Sequence, residues 1–567
     1  MALDPHGMSR REFVRLAGRG AATVACLPLL DAAWSQPVGT PTAGPVGPKR
    51  RPNVIFVLTD DQGWGDAAAW GHPYYRTPNL DRLTREGTRF SQFYVANPVC
   101  SPSRTAFMTG RYPARFGIHG HFATHEQNAA RVMPDWLDPQ AGTITRQLQA
   151  AGYVTGHFGK WHLGSGPGAP EPGAYGIDRH VTIGSNGPQL RAKGAAPEAH
   201  WWGKSTGVIM DHALSFIREN RDKPFYLNVW TLVPHATLDP TPEQLAVYAD
   251  LVPAADHPAF GAWTQRYYKA AKDLRSQMQV FAAAITDLDT QIGRLLDTLR
   301  ELGLEENTLL VFSSDNGPED YHIGNAANAG VGSPGPHRGR KRSLYEGGVR
   351  QPLVVRWPGR VKAGAFDEVS VLAAVDFLPT VCAITGTPLP PDVALDGEDV
   401  SDVLLTGVAR PRRGPLFWEW RSRVFGDPDF APPRVAVRDG RWKLFTSLDR
   451  GRVELYDIPA DAAETANLAA AHPDVVERLA TLALSWQATL PAGEEKPLPA
   501  RPAAGKPAPD RAAMFKAKDT NQDGILTLDE YLHNFPDPAE GRRRFPTFDA
   551  NRDGVLSQEE FVKMGRL

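Results

Sequence analysis

Three short apolar runs in this chain end in residues that carry chemistry. Asn53-Val54-Ile55-Phe56-Val57-Leu58 leads to Asp60-Asp61, Phe225-Tyr226-Leu227-Asn228-Val229-Trp230 to Pro234-His235, and Thr308-Leu309-Leu310-Val311-Phe312 to Asp315-Asn316. Continuous apolar runs of this length suit buried parallel strands. In an open α/β sheet, ligands bind beyond the carboxyl ends of the strands. These polar residues, distant in sequence, are therefore expected at one edge. Asp60, Asp61, Asp315 and Asn316 offer only oxygen, three carboxylates and an amide, which suits a hard cation, Ca²⁺ or Mg²⁺. No histidine-cysteine cluster points to zinc. Lys160 and His162 stand two apart, so they share a face if their segment is extended, and the glycines around them permit close approach to a ligand. Arg338 to Arg350 gathers basic residues around Lys341, and Cys100 stands in Val99-Cys100-Ser101-Pro102-Ser103-Arg104.

The elements that position these residues are legible in outline. Thr77-Pro78 caps a helix that ends at Gly87, Thr143 to Ala151 forms another stopped by Gly152, and residues 271–302 carry helical spacing up to Gly303. Val375 to Thr380 begins a further helix, and Asp396-Gly397 marks a turn near a subdomain boundary. Alternating strands and helices predict an α/β domain over 51–395, a large mixed, mainly parallel sheet with helices on both faces. Residues 396–490 alternate strands (Arg434–Arg438, Trp442–Phe445, Glu454–Asp457) and end in a helix, a smaller antiparallel-sheet subdomain. Residues 491–508, rich in Pro and Ala, read as a semi-rigid linker.

At 567 residues, 42% apolar and 22% charged, the chain is globular and long enough for a large core. A net charge of −2 argues against nucleic acid as a partner. The three cysteines, Cys26, Cys100 and Cys382, give no expectation of an intrachain disulfide. Ser9-Arg10-Arg11-Glu12-Phe13-Val14 resembles a twin-arginine export signal. The weakly apolar Leu16 to Leu30 that follows is too short and interrupted to be a transmembrane anchor, and Ala33-Trp34-Ser35 suits a cleavage site. Residues 1–35 thus read as a signal peptide for a periplasmic or extracellular protein, and 36–50 as a flexible leader.

Residues 509–567 fill the EF-hand pattern twice, with apolar residues flanking each loop as paired helices require. Asp519, Asn521, Asp523, Ile525 (through its carbonyl), Thr527 and Glu530 form the first ligand set, with Gly524 at the sharp turn. Asp549, Asn551, Asp553, Val555, Ser557 and Glu560 form the second, with Gly554. Ca²⁺ is the expected ion.

The C-x-P-x-R of Cys100 to Arg104, followed by Thr109-Gly110-Arg111, resembles the signature of type I sulfatases, arylsulfatase-like members of the alkaline phosphatase superfamily. Tyr153 to Gly164 resembles a second signature of that family and Arg338 to Arg350 a third. The resemblance covers about 51–470, including the small C-terminal sheet. It implies that a formylglycine-generating enzyme converts Cys100 to formylglycine (3-oxoalanine), whose hydrate attacks sulfur and forms a covalent sulfo-enzyme intermediate. It implies a metal held by Asp60, Asp61, Cys100, Asp315 and Asn316. Lys160, His235 and Lys341 would bind the sulfate, Arg104 and His162 would serve the formylglycine, Asp315 would take a proton, and His235 would protonate the leaving alcohol. The basic flanks Arg340 and Arg342 leave open which side chain of that loop reaches the sulfate. The substrate would be a small-molecule or saccharide sulfate ester; Trp201-Trp202, in the Gly/Pro-rich 165–210 excursion, either stack on a sugar or aryl ring or pack the loop, and His119, His121 and His125 follow the core motif. Two other functions fit the same residues: a phosphodiesterase or phosphonate monoester hydrolase with the same modified cysteine, and a non-catalytic calcium-dependent surface binding protein.

Overall fold

The structure is a computed structural model that describes residues 51–567 apart from 165, 185–198, 272, 321–326, 422–426, 492–510, 534–540, 543–544, 546–547, 550–552 and 564–567. The signal segment, the leader, the linker from residue 492 and the loop ligand Asn551 lie outside the described residues.

β1 (Asn53–Asp60), β2 (Thr88–Tyr94), β3 (Val154–Lys160), β4 (Arg179–Ile183), β5 (Phe225–Pro234), β6 (Thr308–Ser314), β7 (Arg350–Arg356) and β8 (Ala365–Ala373) form one sheet in the order β4-β3-β5-β1-β6-β7-β2-β8. All residues of β1, β5 and β6 are buried. Along β1, Val54, Phe56 and Leu58 pack into one apolar core, and Ile55 and Val57 into another on the opposite face. A strand covered on both faces has no reason to alternate apolar and polar residues, which is why these three runs were readable.

The topology sets where the ends go. β5, β1 and β6 are parallel, with Asp60 beside Pro234 and Thr59 beside Ser314. β3 runs parallel to β5, so Lys160 leaves at the same edge. β7 is antiparallel to both β6 and β2. The segment entering β7 at Arg350 and the segment leaving β2 at Tyr94 therefore meet at that edge too. The first brings Lys341, and the second brings the Cys100–Thr109 helix, whose residues are all buried.

The helices stand close to their expected bounds, at Pro78–Glu86, Ile144–Ala150 and Leu274–Glu301. Thr143 caps the second by accepting the Arg146 N–H. Thr77 does not cap the first. Its hydroxyl accepts from the Ala68 amide instead, and Asp289, on the long helix, accepts the Asn79 and Leu80 amides at 2.7–3.1 Å. A nonlocal carboxylate thus satisfies helix donors that would otherwise be orphaned. Trp201-Trp202 belong to a helix, Trp201–Glu219, rather than a loop, and Trp201 is buried against the core and so is no exposed stacking platform.

β9 (Leu416–Glu419), β10 (Val435–Asp439), β11 (Trp442–Thr446) and β12 (Val453–Asp457) form a four-stranded antiparallel sheet, with the Pro473–Ala488 helix after it. β13 (Ile525–Leu526) and β14 (Leu556–Ser557) pair antiparallel and join the two EF-hand loops over an aromatic cluster of Phe515, Tyr531, Phe545 and Phe561.

Asp289→Ala leaves buried helix amides without an acceptor, which costs about 1–3 kcal/mol. Its urea midpoint is expected to fall accordingly while kcat stays within about twofold of the parent, since the Asp289 carboxylate spends its hydrogen bonds among the described residues on Asn79 and Leu80.

Candidate active site

Three buried carboxylates at the sheet edge each meet a different cation. Asp60 Oδ2 accepts from Lys160 Nζ, and Asp61 Oδ2 accepts from Lys341 Nζ at 2.6 Å. Asp315 Oδ2 accepts twice from Arg104, from Nε at 3.0 Å and Nη2 at 2.7 Å. All six side chains are at most 5% exposed. The Asp61 amide donates to Asp315 Oδ1 at 3.1 Å, which ties the ends of β1 and β6 together. Asp61 sits at φ 64°, a left-handed conformation that costs energy for a residue with a Cβ and is held by these bonds.

Cys100 opens its helix, and its Sγ lies 3.4 Å from both Asp60 Oδ1 and Lys160 Nζ. Burial, then the charge of Asp60, pushes the thiol above its usual range, so the unmodified side chain is a neutral thiol. One ligand atom each from Asp60, Asp61, Cys100 and His235 lies within 4.8 Å of the others. His235 Nε2 is 3.5 Å from Asp61 Oδ2, and burial followed by Lys341 lowers its pKa. For Asp60 burial opposes ionisation, but Lys160, His235 and Arg104 hold the carboxyl well below the usual range. Burial and then the Asp60 charge push Asp315 up to about 7 against the pull of Arg104.

Sequence and structure part at three places. β3 ends at Lys160, and His162 has φ 54°, so the two do not share the face of a strand. His162 reaches the Phe122 carbonyl through Nε2 (3.3 Å), and its buried Nδ1 has no hydrogen-bond partner among the described residues. Arg104 is bonded to Asp315 and to the Lys160 carbonyl, with no hydrogen bond to Cys100 among the described residues. Glu319, unmarked in the sequence, is buried between Lys341 (3.2 Å) and Arg342. Its carboxyl is lowered by those two cations in spite of burial. A pairing across 23 residues leaves no local pattern to read.

The three basic side chains of this loop have different partners. Arg340 spends its donors on the Glu319, Gly330 and Gly332 carbonyls, and Arg342 on Glu319. Lys341 alone of the three meets the carboxylates at the sheet edge. Gly317 lets this loop close on the Asp315 turn, because a Cβ there would stand 2.0 Å from the Gly347 carbonyl oxygen.

The donor set fits a metal ion. Three carboxylates converge, and Asn316 donates from Nδ2 to Asp61 Oδ1 at 2.7 Å while its buried Oδ1 has no partner among the described residues. Hard oxygen donors of this kind select a hard divalent cation. In the first EF-hand loop, Asp519 accepts the Asp523 and Gly524 amides at 3.1 and 2.9 Å, and Thr527 and Glu530 cap each other. Asp549 with Asp553 and Gly554, and Ser557 with Glu560, repeat the arrangement in the second. Both loop glycines have positive φ, 83° and 84°, as the sharp turn requires.

Because Lys341 is the one of these three basic residues that bonds Asp61, Lys341→Ala is expected to lower kcat/KM on the ester that the sequence resemblance implies by about 100-fold or more, and Arg342→Ala by about tenfold or less. Steady-state kinetics of the two purified variants checks this.

The sulfatase family profile matches residues 52–387, the profile for the C-terminal part of N-sulphoglucosamine sulphohydrolase matches 338–484, and an EF-hand profile matches 543–564. Human arylsulfatase A is 32% identical over 472 residues, covering 77% of this chain and 87% of that protein. The N-acetylgalactosamine-6-sulfatase of the dog, Canis lupus familiaris, is 33% identical, covering 66% of this chain and 70% of that one. The solved structure of Ps i-CgsB in complex with k-i-k-neocarrahexaose shares the fold, with a TM-score of 0.64 at 23% identity over 79% of this chain and 94% of that one. The buried carboxylates, the cysteine beside them and these matches agree: the chain belongs to the sulfatase family and is a hydrolase of sulfuric esters.

Proposed function

We propose that this sulfatase acts through a formylglycine at position 100, in a pocket where each buried carboxylate is paired with a cation. The observation that carries the reading is the contact of Cys100 Sγ with both Asp60 and Lys160 at 3.4 Å. Converted Cys100 supplies a hydrated aldehyde, with one hydroxyl to bond sulfur and a second that lets sulfate leave as the aldehyde reforms. Asp60, Asp61, Asp315 and Asn316, with the converted Cys100, would hold Ca²⁺, which when bound would supply charge that acidifies the nucleophile and offsets charge on the sulfuryl oxygens.

The chain's own residues do the rest. Lys160, at the end of β3, and Lys341, in the loop before β7, meet at these carboxylates and neutralise sulfuryl oxygens. Asp315 takes the first hydroxyl's proton, and Arg104 fixes its carboxylate with two N–H bonds, from Nε and Nη2, that converge on Oδ2. The His162 Nδ1, which has no hydrogen-bond partner among the described residues, is suited to take the second proton. His235, beside Asp61, donates a proton to the leaving alcohol.

The substrate is a small-molecule or saccharide sulfate ester, in keeping with relatives named for aryl and N-acetylgalactosamine sulfates. A formylglycine-generating enzyme matures the chain, and the twin-arginine segment exports it to the periplasm or beyond. The catalytic region spans 51–395 and the small-sheet subdomain 396–490, and the EF-hand pair, 509–567, binds Ca²⁺ at the residues named above. Turnover of nitrophenyl sulfate, set against phosphate diesters and phosphonate monoesters, tests the reaction class. Preference for the sulfate is expected, and preference for a phosphorus ester would overturn it.

General-acid catalysis contributes about 10²–10⁴-fold, and least where the leaving group needs no proton. His235→Ala is therefore expected to slow hydrolysis of a saccharide sulfate by about 100-fold or more and of nitrophenyl sulfate by about tenfold or less. Equal losses on both would remove His235 from that role.

A further inference from the structure

A buried polar chain runs behind the active site, and no step above uses it. Tyr226 Oη donates to Asn228 Oδ1 at 2.8 Å, Asn228 Nδ2 meets His157 Nδ1 at 3.4 Å, and His157 Nε2 meets the Lys160 carbonyl at 3.1 Å. Arg104 Nη1 donates to that same carbonyl at 3.1 Å. Tyr226, Asn228 and His157 are fully buried.

The donors can be assigned along it. The Lys160 carbonyl can only accept, so in a neutral ring Nδ1 is the acceptor and the Asn228 amide turns Nδ2–H toward it, with Oδ1 facing the Tyr226 hydroxyl. Nε2 then carries the proton and donates to the Lys160 carbonyl. Burial pushes the His157 pKa down to about 3 against that carbonyl, so the ring is neutral at working pH. A side chain in a regular strand does not reach the carbonyl three residues on. Here Gly159, at φ 111°, curls the end of β3, and a Cβ there would stand 1.9 Å from the Trp230 carbonyl oxygen. The ring is held edge-on to Trp161 and Trp230, with centroids 5.1 and 4.7 Å away.

We propose that His157 is a positioning residue: its Nε2–H holds the Lys160 carbonyl that seats Arg104, and through Arg104 the carboxylate of Asp315. The inference rests on the reading of Lys160, Arg104 and Asp315 given above. It assigns the Nε2–H tautomer a task that packing alone does not perform.

Two substitutions at this position separate the tasks. His157→Phe keeps a ring between the indoles and loses the N–H, whereas His157→Gln loses the ring and keeps a donor near the Nε2 position. The Phe variant is expected to be the more stable in thermal unfolding and the less active, with kcat/KM on nitrophenyl sulfate down by about 10–100-fold and largely recovered in the Gln variant. A purely structural histidine would give the same order in both measurements, and that result would overturn the inference. Asn228→Asp covers the case in which His157→Phe does not fold. A carboxylate there accepts from Nδ1–H and leaves Nε2 either bare or, in an imidazolium, still protonated, so ¹⁵N spectra of the variant are read beside its activity: a comparable loss is expected where Nε2–H is gone and little loss where it is kept, and the reverse pairing would contradict the inference. Histidine-selective ¹⁵N spectra, with the His157 signals identified by their loss in His157→Gln, are expected to show the Nε2–H form in the parent. The Nδ1–H form would overturn the inference whatever the activity. Absence of sulfate-ester turnover in the parent enzyme, with the Nε2–H form present, would instead strike at the reading of the active site and leave His157 no reaction to serve.

Discussion

Burying three carboxylates side by side is the constraint that the rest of this structure answers. An ionised group taken out of water costs several kcal/mol unless a partner sits against it. Asp60, Asp61 and Asp315 lie at neighbouring strand ends, and the sequence supplies Lys160, Lys341 and Arg104, one to each. Those cations come from β3, from the loop before β7 and from the helix after β2. The sheet order is thus also an order for delivering counter-charges to one edge. Glu319 extends the scheme by balancing Lys341 and Arg342. A site so dense in fixed charge changes little when a sulfate ester arrives, which is what preorganised electrostatic catalysis requires.

The same solution recurs where the small sheet meets the large one. Lys443 of β11, fully buried, donates to Glu346 Oε1 at 2.8 Å and to the Leu344 carbonyl at 2.9 Å, and lies 3.3 Å from Glu464. Glu346 also accepts from Tyr94 at 2.6 Å and lies 3.3 Å from Arg350. Two acids share one lysine here, and burial together with the Glu346 charge pushes Glu464 up to about 8, against the pull of Lys443. Glu346 and Arg350 border the segment that carries Lys341, so the junction between the sheets helps to hold one wall of the active site.

What the sequence disclosed follows from which interactions are local. β1, β5 and β6 were readable because strands buried on both faces need continuous apolar runs. The EF-hand loops were readable because their ligands lie within twelve positions. β2, β3, β7 and β8 were not read as strands. β3 interrupts its apolar residues with Gly156, Gly159, Thr155, His157 and Lys160, and β8 is an edge strand whose first half is largely exposed and mixes Phe366 and Val369 with Asp367 and Glu368. Cys100, Lys160 and Lys341 stand in local motifs and Asp60 and Asp315 at the ends of apolar runs, all visible in the sequence, but the pairing of acid with cation, the capping by Asp289 and the place of Glu319 depend on contacts across tens to hundreds of residues. The left-handed turn at His162 was hidden for another reason, since a histidine with positive φ is stable only where its surroundings impose it.

The central claim is that this pocket is built around a modified side chain at position 100, and the mass of the peptide spanning Cys100, from protein made in its native host, tests it most directly. The account predicts an aldehyde or its hydrate, lost on treatment with a hydride reductant and absent from Cys100→Ser made in a host without the maturation enzyme. An intact thiol in fully folded, catalytically active protein from that host would contradict it.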